Sequence, residues 1–301
     1  MISRKRLLTD IIQYADDTQI IHTGSADALP DLIEIAEARL FFLARSYFNT
    51  NGLMLNTRKA QCIFVGTKPM IKQIPIDTKI TFNNTSITPS TQVKNLGVTM
   101  DNHMSFEVHI KEIYRKVMGH LLFLNRVKDK FEKDTRRIVV ESIALSTINY
   151  CLSVYGTTNG TLLRQVQQLQ NFAAKICAGG ARRCDNATPY ITKLDWLKID
   201  RKVIFDVAVH VFMIKNKLFP EWYMHLPTYS EVSRHTYITR TKHNLHVPFT
   251  RTDSGGRSLT VLGPKLWNDL PQRVKDSNTL TAFKTNLKAF LMENNALHIR
   301  L

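Results

Sequence analysis

Apolar and polar positions alternate in two short runs near the start of the chain. "IIQY" at 11–14 and "TQIIH" at 18–22 flank Ala15-Asp16-Asp17, which predicts a β-hairpin with carboxylates at its tip. The period then changes. From Asp31 to about Asn49 the apolar residues Leu32, Ile35, Ala36, Leu40, Leu43 and Tyr47 fall at helical spacing. Asp31 is expected as the N-cap, Glu34 completes a capping box, and Asn51-Gly52 forms the stop. "QCIFVGT" at 61–67 is expected as a strand. Shorter β-type runs follow between 73 and 100 ("KITFN", "TSIT", "VKNLGVTM"), punctuated by Pro75, Asn83-Asn84 and Pro89. Residues 1–104 therefore predict an α+β region.

After Ser105 a long 3.6-residue stripe begins: Val108, Ile110, Ile113, Val117, Leu121 and Leu124. Helices are expected at about 133–155 and 160–178, which makes 105–178 a helical bundle. "GGARRCDNATP" at 179–189 reads as a connector and boundary. The remainder, 179–301, carries an amphipathic helix near 199–217 and a last helix near 279–294. Residues 226–258 have weak periodicity and five basic residues (Arg234, Arg240, Lys242, Arg251, Arg257), and are expected to be loosely ordered until a partner is met.

Charge sharpens this picture. Among 301 residues, 41 Lys and Arg face 25 Asp and Glu, a formal net charge of +16, and the pI is about 9.8. That field favours polyanions, nucleic acid or an acidic membrane surface. A basic chain without such a partner is the plainer reading. No run approaches the roughly 20 apolar residues of a spanning helix. The start, "MISRKRLLTDIIQY", is a poor secretory signal because Thr9 and Asp10 interrupt its apolar run. Cys62, Cys151, Cys177 and Cys184 are too far apart for a zinc site or a disulfide framework, which implies a reducing intracellular setting.

The chemistry that adjacent carboxylates at a hairpin tip can do is metal binding. Phosphoryl transfer to a hydroxyl uses two divalent ions about 3.5–4 Å apart, and Mg²⁺ takes hard oxygen ligands. Asp-Asp is also an ordinary turn pair, because Asp side chains bond to nearby backbone amides. Composition alone leaves both readings open.

"YADDTQI" resembles the Tyr-x-Asp-Asp signature of reverse transcriptases, and the likeness continues in family order along nearly the whole chain. "NGLMLNTRKAQCIFVGT" is similar to the segment that follows, with Asn56 and Lys59 in an N-x-x-K element. "VKNLGVTMDNHMSFEVHIKEIYRKV" looks like the next block. "TPYITKLDWLKIDRKVIFDVAVHVFMIKN" and "GGRSLTVLGPKLWNDLPQRVKDSNTLTAFKTNLKAFL" resemble C-terminal segments of LINE-type (non-LTR) retrotransposon polyproteins of the Jockey and chicken-repeat groups.

The resemblance implies RNA-templated DNA synthesis at a nicked chromosomal target by a right-hand polymerase. Asp16 would ligate Mg²⁺ (or Mn²⁺), with Asp17 beside it. Tyr14 and Ala15 would lie near the incoming nucleotide or primer end. Lys59 would protonate or neutralise leaving pyrophosphate. Lys94–Met100, with Lys94, Leu96 and Gly97, would act as a primer grip. The helices of 105–178 would be a thumb, and 1–104 the later part of the palm. The partners implied are an RNA template and a DNA primer or RNA–DNA hybrid, with no membrane. On the thumb candidate, Arg115, Lys116, Arg126, Lys128, Lys130, Lys133, Arg136 and Arg137 would contact phosphates, or else form a solvated face.

One departure matters. Thirteen residues precede Tyr14, and Asp10 is the sole acid among them, too close to serve as a separate strand's ligand. The expectation is a C-terminal piece of a longer polymerase, with its third carboxylate elsewhere and no activity alone. The alternatives are a non-catalytic module that grips RNA or an RNA–DNA duplex, and an unrelated helical protein that binds other proteins. His109 and His120 are expected at the surface or the core edge rather than as ligands. Trp196, Trp222 and Trp267 are expected in packing rather than on bases. A polymerase reading further requires that the tip and Lys59 share one sheet, packed by the helix from 31.

Overall fold

The computed structural model describes residues 8–15, 17–52, 56–83, 85–182, 184–220, 223–232 and 242–293. Two compact units divide the chain, residues 1–104 and 105–301.

In the first unit, β1 (Leu8–Tyr14) pairs antiparallel with β2 (Asp17–Thr23), and Tyr14 lies opposite Asp17. Helix α1 (Leu29–Leu43) follows and ends in a wide turn at Ala44–Phe48. Its start corrects the expectation. Ala28 is the N-cap, Asp31 lies in the first turn, and no side chain caps the end. Pro30 explains the shift, since it has no amide hydrogen to satisfy in that turn. After the short helix α2 (Lys68–Lys72) come two small hairpins. One pairs β3 (Ile80–Phe82) with β4 (Thr85–Ile87), the other β5 (Gln92–Asn95) with β6 (Val98–Asp101). Ile80, Phe82 and Ile87 are buried, as are Leu43 and Phe48 from the helical side. Glu37 on α1 accepts the Thr81 amide at 2.6 Å, which ties the helix to β3.

Two strand expectations fail here. Residues 61–67 form no ladder. They are held by isolated bonds: the Ser90 amide to the Cys62 carbonyl (2.8 Å), the Gly66 amide to Asn102 (2.9 Å), and the Asn102 side chain to the Phe64 carbonyl (2.8 Å). A side-chain amide and single backbone bonds replace the repeating pairs that define a strand. Nor is there one sheet. The described strands form three separate two-stranded ladders, and the tip hairpin and the segment of Lys59 share none of them.

The second unit is helical. Its long helix α3 (Glu107–Val127) buries Ile110, Ile113, Val117, Leu121 and Leu124, the predicted stripe. Helix α4 (Lys133–Val140) passes through a wide turn at Glu141–Leu145 into α5 (Ser146–Asn149), then α6 (Leu152–Tyr155). The helix expected over 133–155 is therefore broken. Cys151 takes a left-handed conformation (φ 54°) at the break, and the Tyr155 hydroxyl, fully buried, donates to the Ile148 carbonyl. Helix α7 (Gly160–Ala178) starts as expected, with Asn159 Oδ1 accepting the Leu162 amide at 3.0 Å.

Beyond it lie α8 (Thr188–Lys193), α9 (Ile199–Lys215), α10 (Tyr229–Val232), α11 (Asp253–Gly256), α12 (Leu259–Asp269), α13 (Gln272–Lys275) and α14 (Leu280–Glu293). Apolar on most sides, α9 is the hub, packed by α6, α7, α12 and α14. Gly156 marks the closest approach: a Cβ there would meet the Leu152 carbonyl oxygen at 2.4 Å and Val203 Cγ2 at 2.5 Å. Phe283 stacks between Phe212 (4.3 Å) and Trp267 (5.8 Å), locking α14 and α12 onto α9. Helices on both sides of 179–189 thus belong to one unit. Where described, 226–258 is tied down: Leu245 is buried, and both its amide and carbonyl bond to the Asn268 side chain at 2.9 Å. Arg234, Arg240 and Trp222 lie outside the described residues.

Candidate active site and nucleic-acid interface

In the first hairpin Tyr14 lies opposite Asp17, and the connection between them opens with Ala15. Ala15 has φ 52°, the left-handed value that a tight hairpin turn needs to match strand twist. Tyr14 is 66% exposed, and Asp17 is exposed on the first residue of β2. Asp16, the carboxylate expected to hold metal, lies outside the described residues. Among the described residues no cluster of three or more His, Cys, Asp or Glu side chains forms.

The second predicted site element is another tight hairpin. Asn95 lies opposite Val98, so Leu96 and Gly97 make the turn, with φ 44° and 85°. Lys94 is exposed on β5. The two hairpins meet through side chains: Gln19, two residues beyond Asp17, donates to Asn95 Oδ1 at 2.7 Å. Sequence reasoning did not single out this pair. Its only trace is a polar residue at a half-buried strand position in each case.

Lys59 is not part of that meeting. It is exposed in a turn, its amide bonded to the Asn56 carbonyl at 3.1 Å, and no hydrogen bond or ion pair joins it to the tip among the described residues. Asn56 Oδ1 accepts the Arg58 amide at 3.1 Å, so the N-x-x-K element forms a local turn. On β2, burial holds the His22 imidazole below its ordinary range, with Arg39 adding to the effect.

The basic residues of the second unit divide into two groups. Arg115, Lys116, Arg126, Lys130 and Lys133 are exposed, and Lys128 is half-buried. Arg136 and Arg137 are engaged in the fold. Arg136 donates to the Lys128 carbonyl at 3.3 Å, and its guanidinium lies against Gly179, where a Cβ would come within 2.9 Å. Arg137 donates through Nε to Glu141 Oε1 at 2.8 Å and through Nη2 to the Leu194 carbonyl at 3.1 Å. Its hydrogen bond to Glu141 raises an already high pKa. Cys177 behind this group is buried, and its thiol is pushed up to about 12 by desolvation, with Glu141 adding to the rise. Burial keeps this thiol protonated at neutral pH.

His109, Trp196 and Trp267 follow the packing reading. His109 is buried edge-on against Tyr155 at 5.0 Å, and Trp267 is buried under Lys215 at 5.4 Å. Trp196 is partly buried and donates to Glu141 at 2.8 Å.

With this geometry in hand, comparison with known proteins gives one informative match. Over 205 residues the chain is 24% identical to the retrovirus-related Pol polyprotein from type-1 retrotransposable element R1 of Nasonia vitripennis. The likeness supports a retrotransposon origin. It covers 66% of this chain and 60% of the relative, so the chain spans less than two thirds of the protein it matches. No protein-family profile matches the chain, and no solved structure does. No described helix is long and apolar enough to cross a membrane.

Proposed function

We propose that the chain is a reverse-transcriptase-related polypeptide of a non-LTR retrotransposon, close to the Jockey and chicken-repeat groups. In this reading residues 1–104 are the later part of a palm, and 105–178 are a thumb with the 179–301 segment packed on it. The partners are an RNA template and a DNA primer or RNA–DNA hybrid, inside the cell, in cytoplasm or nucleus. The observation that carries the reading is the Gln19–Asn95 bond. It brings the Tyr-Ala-Asp-Asp hairpin beside the Leu-Gly hairpin, the two elements assigned to catalysis and to primer contact. The similarity to the R1 Pol polyprotein supports the same descent.

In the complete palm, Mg²⁺ held by Asp16 and Asp17 would supply the charge that activates a hydroxyl and stabilises pyrophosphate. Tyr14 and Ala15 line the tip, and Lys94, Leu96 and Gly97 present the adjoining turn. The shared sheet required of the tip and Lys59 is not formed among the described residues, so Lys59 is not assigned to pyrophosphate, and the reading is one of descent rather than of an assembled polymerase site. The purified chain is expected to bind a labelled RNA–DNA hybrid without extending its primer. Magnesium-dependent extension that disappears in Asp16→Ala would overturn that expectation.

A second reading rests on the cations of α3 and the turn after it: a non-catalytic module that grips duplex through exposed Arg115, Lys116, Arg126 and Lys130, with half-buried Lys128 beside them. Both readings predict hybrid binding that weakens steeply with salt. A protein-binding helical module predicts none.

A further inference from the structure

One helical face in the second unit has its polarity reversed. From α4 through the wide turn into α5, residues 133–149 run as a continuous helical segment with Val140, Ala144, Leu145 and Ile148 buried. Its later charges are committed to the fold: Arg136 donates to the Lys128 carbonyl, and Arg137 pairs with Glu141. Exposed positions recur at Thr135, Ile138, Ser142, Ser146 and Asn149, three or four apart, with Ile143 beside Ser142, and none is charged. Ile138 is 62% exposed and Ile143 39%. A solvent-facing helix ordinarily turns its charges outward and its aliphatic residues inward. We infer that this face packs against the same face of a second copy of the chain, as a weak two-fold dimer. Such a dimer needs no nucleic acid.

Charge selects the occupant. The chain carries a formal +16, so a second copy is repelled on most approaches. A two-fold contact sets a surface against itself, and any cation in it meets its own image. Here the exposed charges are confined to Lys133 and Asp134 in the first turn, so two copies can meet beyond them without like charges in contact. For the same reason the face offers a phosphate backbone nothing to pair with, and an acidic protein is drawn to the cationic faces instead.

The hydroxyls also suit burial. Ser146 donates to the Ser142 carbonyl, and Thr147 donates to the Ile143 carbonyl at 3.0 Å. Both donors are satisfied within the helix, so covering them strands neither. Serines one turn apart at 142 and 146 keep the middle of the face low, which lets a second helix approach closely. At about 1.5 Å per residue the segment is about 25 Å long. One such face reaches at most the low end of specific interfaces, roughly 1,200 Å² in total, so association is expected in the micromolar range.

The test is sedimentation equilibrium of the full, nuclease-treated chain across the micromolar range, at low and high salt. A monomer–dimer equilibrium is expected. Added salt should tighten it several-fold, because screening weakens the repulsion between copies. Ile138→Lys and, separately, Ile143→Lys should each weaken the dimer at least about tenfold, since each sets a like charge against its image. Ile138→Leu should stay within about twofold. So should Phe249→Ser, which removes a ring that is 86% exposed outside this segment. Thermal melting checks the folding of every variant. A chain that stays monomeric overturns the inference and leaves the face to a different protein. Association that Ile138→Lys leaves unchanged overturns it too, as does association lost in Phe249→Ser, which would be general stickiness. Oligomers that grow without limit would show a head-to-tail contact and overturn the two-fold. If Ile143→Lys fails to fold, Ile138→Lys decides alone.

Discussion

Arg137 and Trp196 share one acceptor. Arg137 Nε and Trp196 Nε1 both donate to Glu141 Oε1 at 2.8 Å, so a single carboxylate oxygen joins α4 to the turn after α8. The Arg137–Leu194 bond closes the same corner. With both donors partly exposed, the ion pair by itself contributes little. The indole bond and the packing around it carry more.

Glu141→Ala is therefore expected to destabilise the second unit by about 1–2 kcal/mol, since two donors lose their acceptor. Glu141→Gln, which keeps an oxygen in place, should cost less than half of that. Urea denaturation followed by tryptophan fluorescence checks the order. Equal losses for the two variants would mean that charge, not the shared acceptor, matters.

Leu96 occupies a left-handed position that costs a side-chain-bearing residue about 1–2 kcal/mol relative to glycine. Leu96→Asn, a residue tolerant of that region, is expected to raise stability by about 0.5–1 kcal/mol. A loss of stability on denaturant unfolding would show that the half-exposed Leu96 side chain packs more usefully than its backbone suggests.

Two glycines should respond oppositely to the same change. Gly156→Ala forces a methyl against a carbonyl oxygen and Val203, and is expected to cost about 2–3 kcal/mol. Gly119→Ala meets nothing within 4 Å in the middle of α3 and should gain about 0.5–1 kcal/mol. Melting temperatures of the pair test the α6–α9 contact directly.

Cys177 gives a pH signature. Its folded thiol titrates near 12 against an ordinary 9, so the folded state favours the protonated form. This contribution is complete below pH 9 and is lost as pH rises from about 9 towards 12. Cys177→Ala should lessen the alkaline fall in stability. At neutral pH a thiol reagent is expected to label exposed Cys184 rapidly and Cys177 only on unfolding.

Much of the second unit was legible because helix period and burial coincide. The α3 stripe and the Asn159 cap are local signals that packing did not override. Helix α12 was missed, since Pro264 sits inside "LTVLGPKLWND" and breaks the usual pattern. The strand at 61–67 failed because an apolar run has no partner ladder of its own to announce. For the site, the hairpin tip was visible as Asp-Asp between β-type runs. The bonds from Arg136 to Lys128 and from Arg137 to Leu194 were not, because those acceptors lie on other elements.

The bond between Gln19 and Asn95 has one further property. Both groups are amides, which neither titrate nor attract counterions. The seam between the two hairpins is thus indifferent to acidity and ionic strength. Added salt or a change of pH is therefore expected to leave the spacing of tip and turn unaltered.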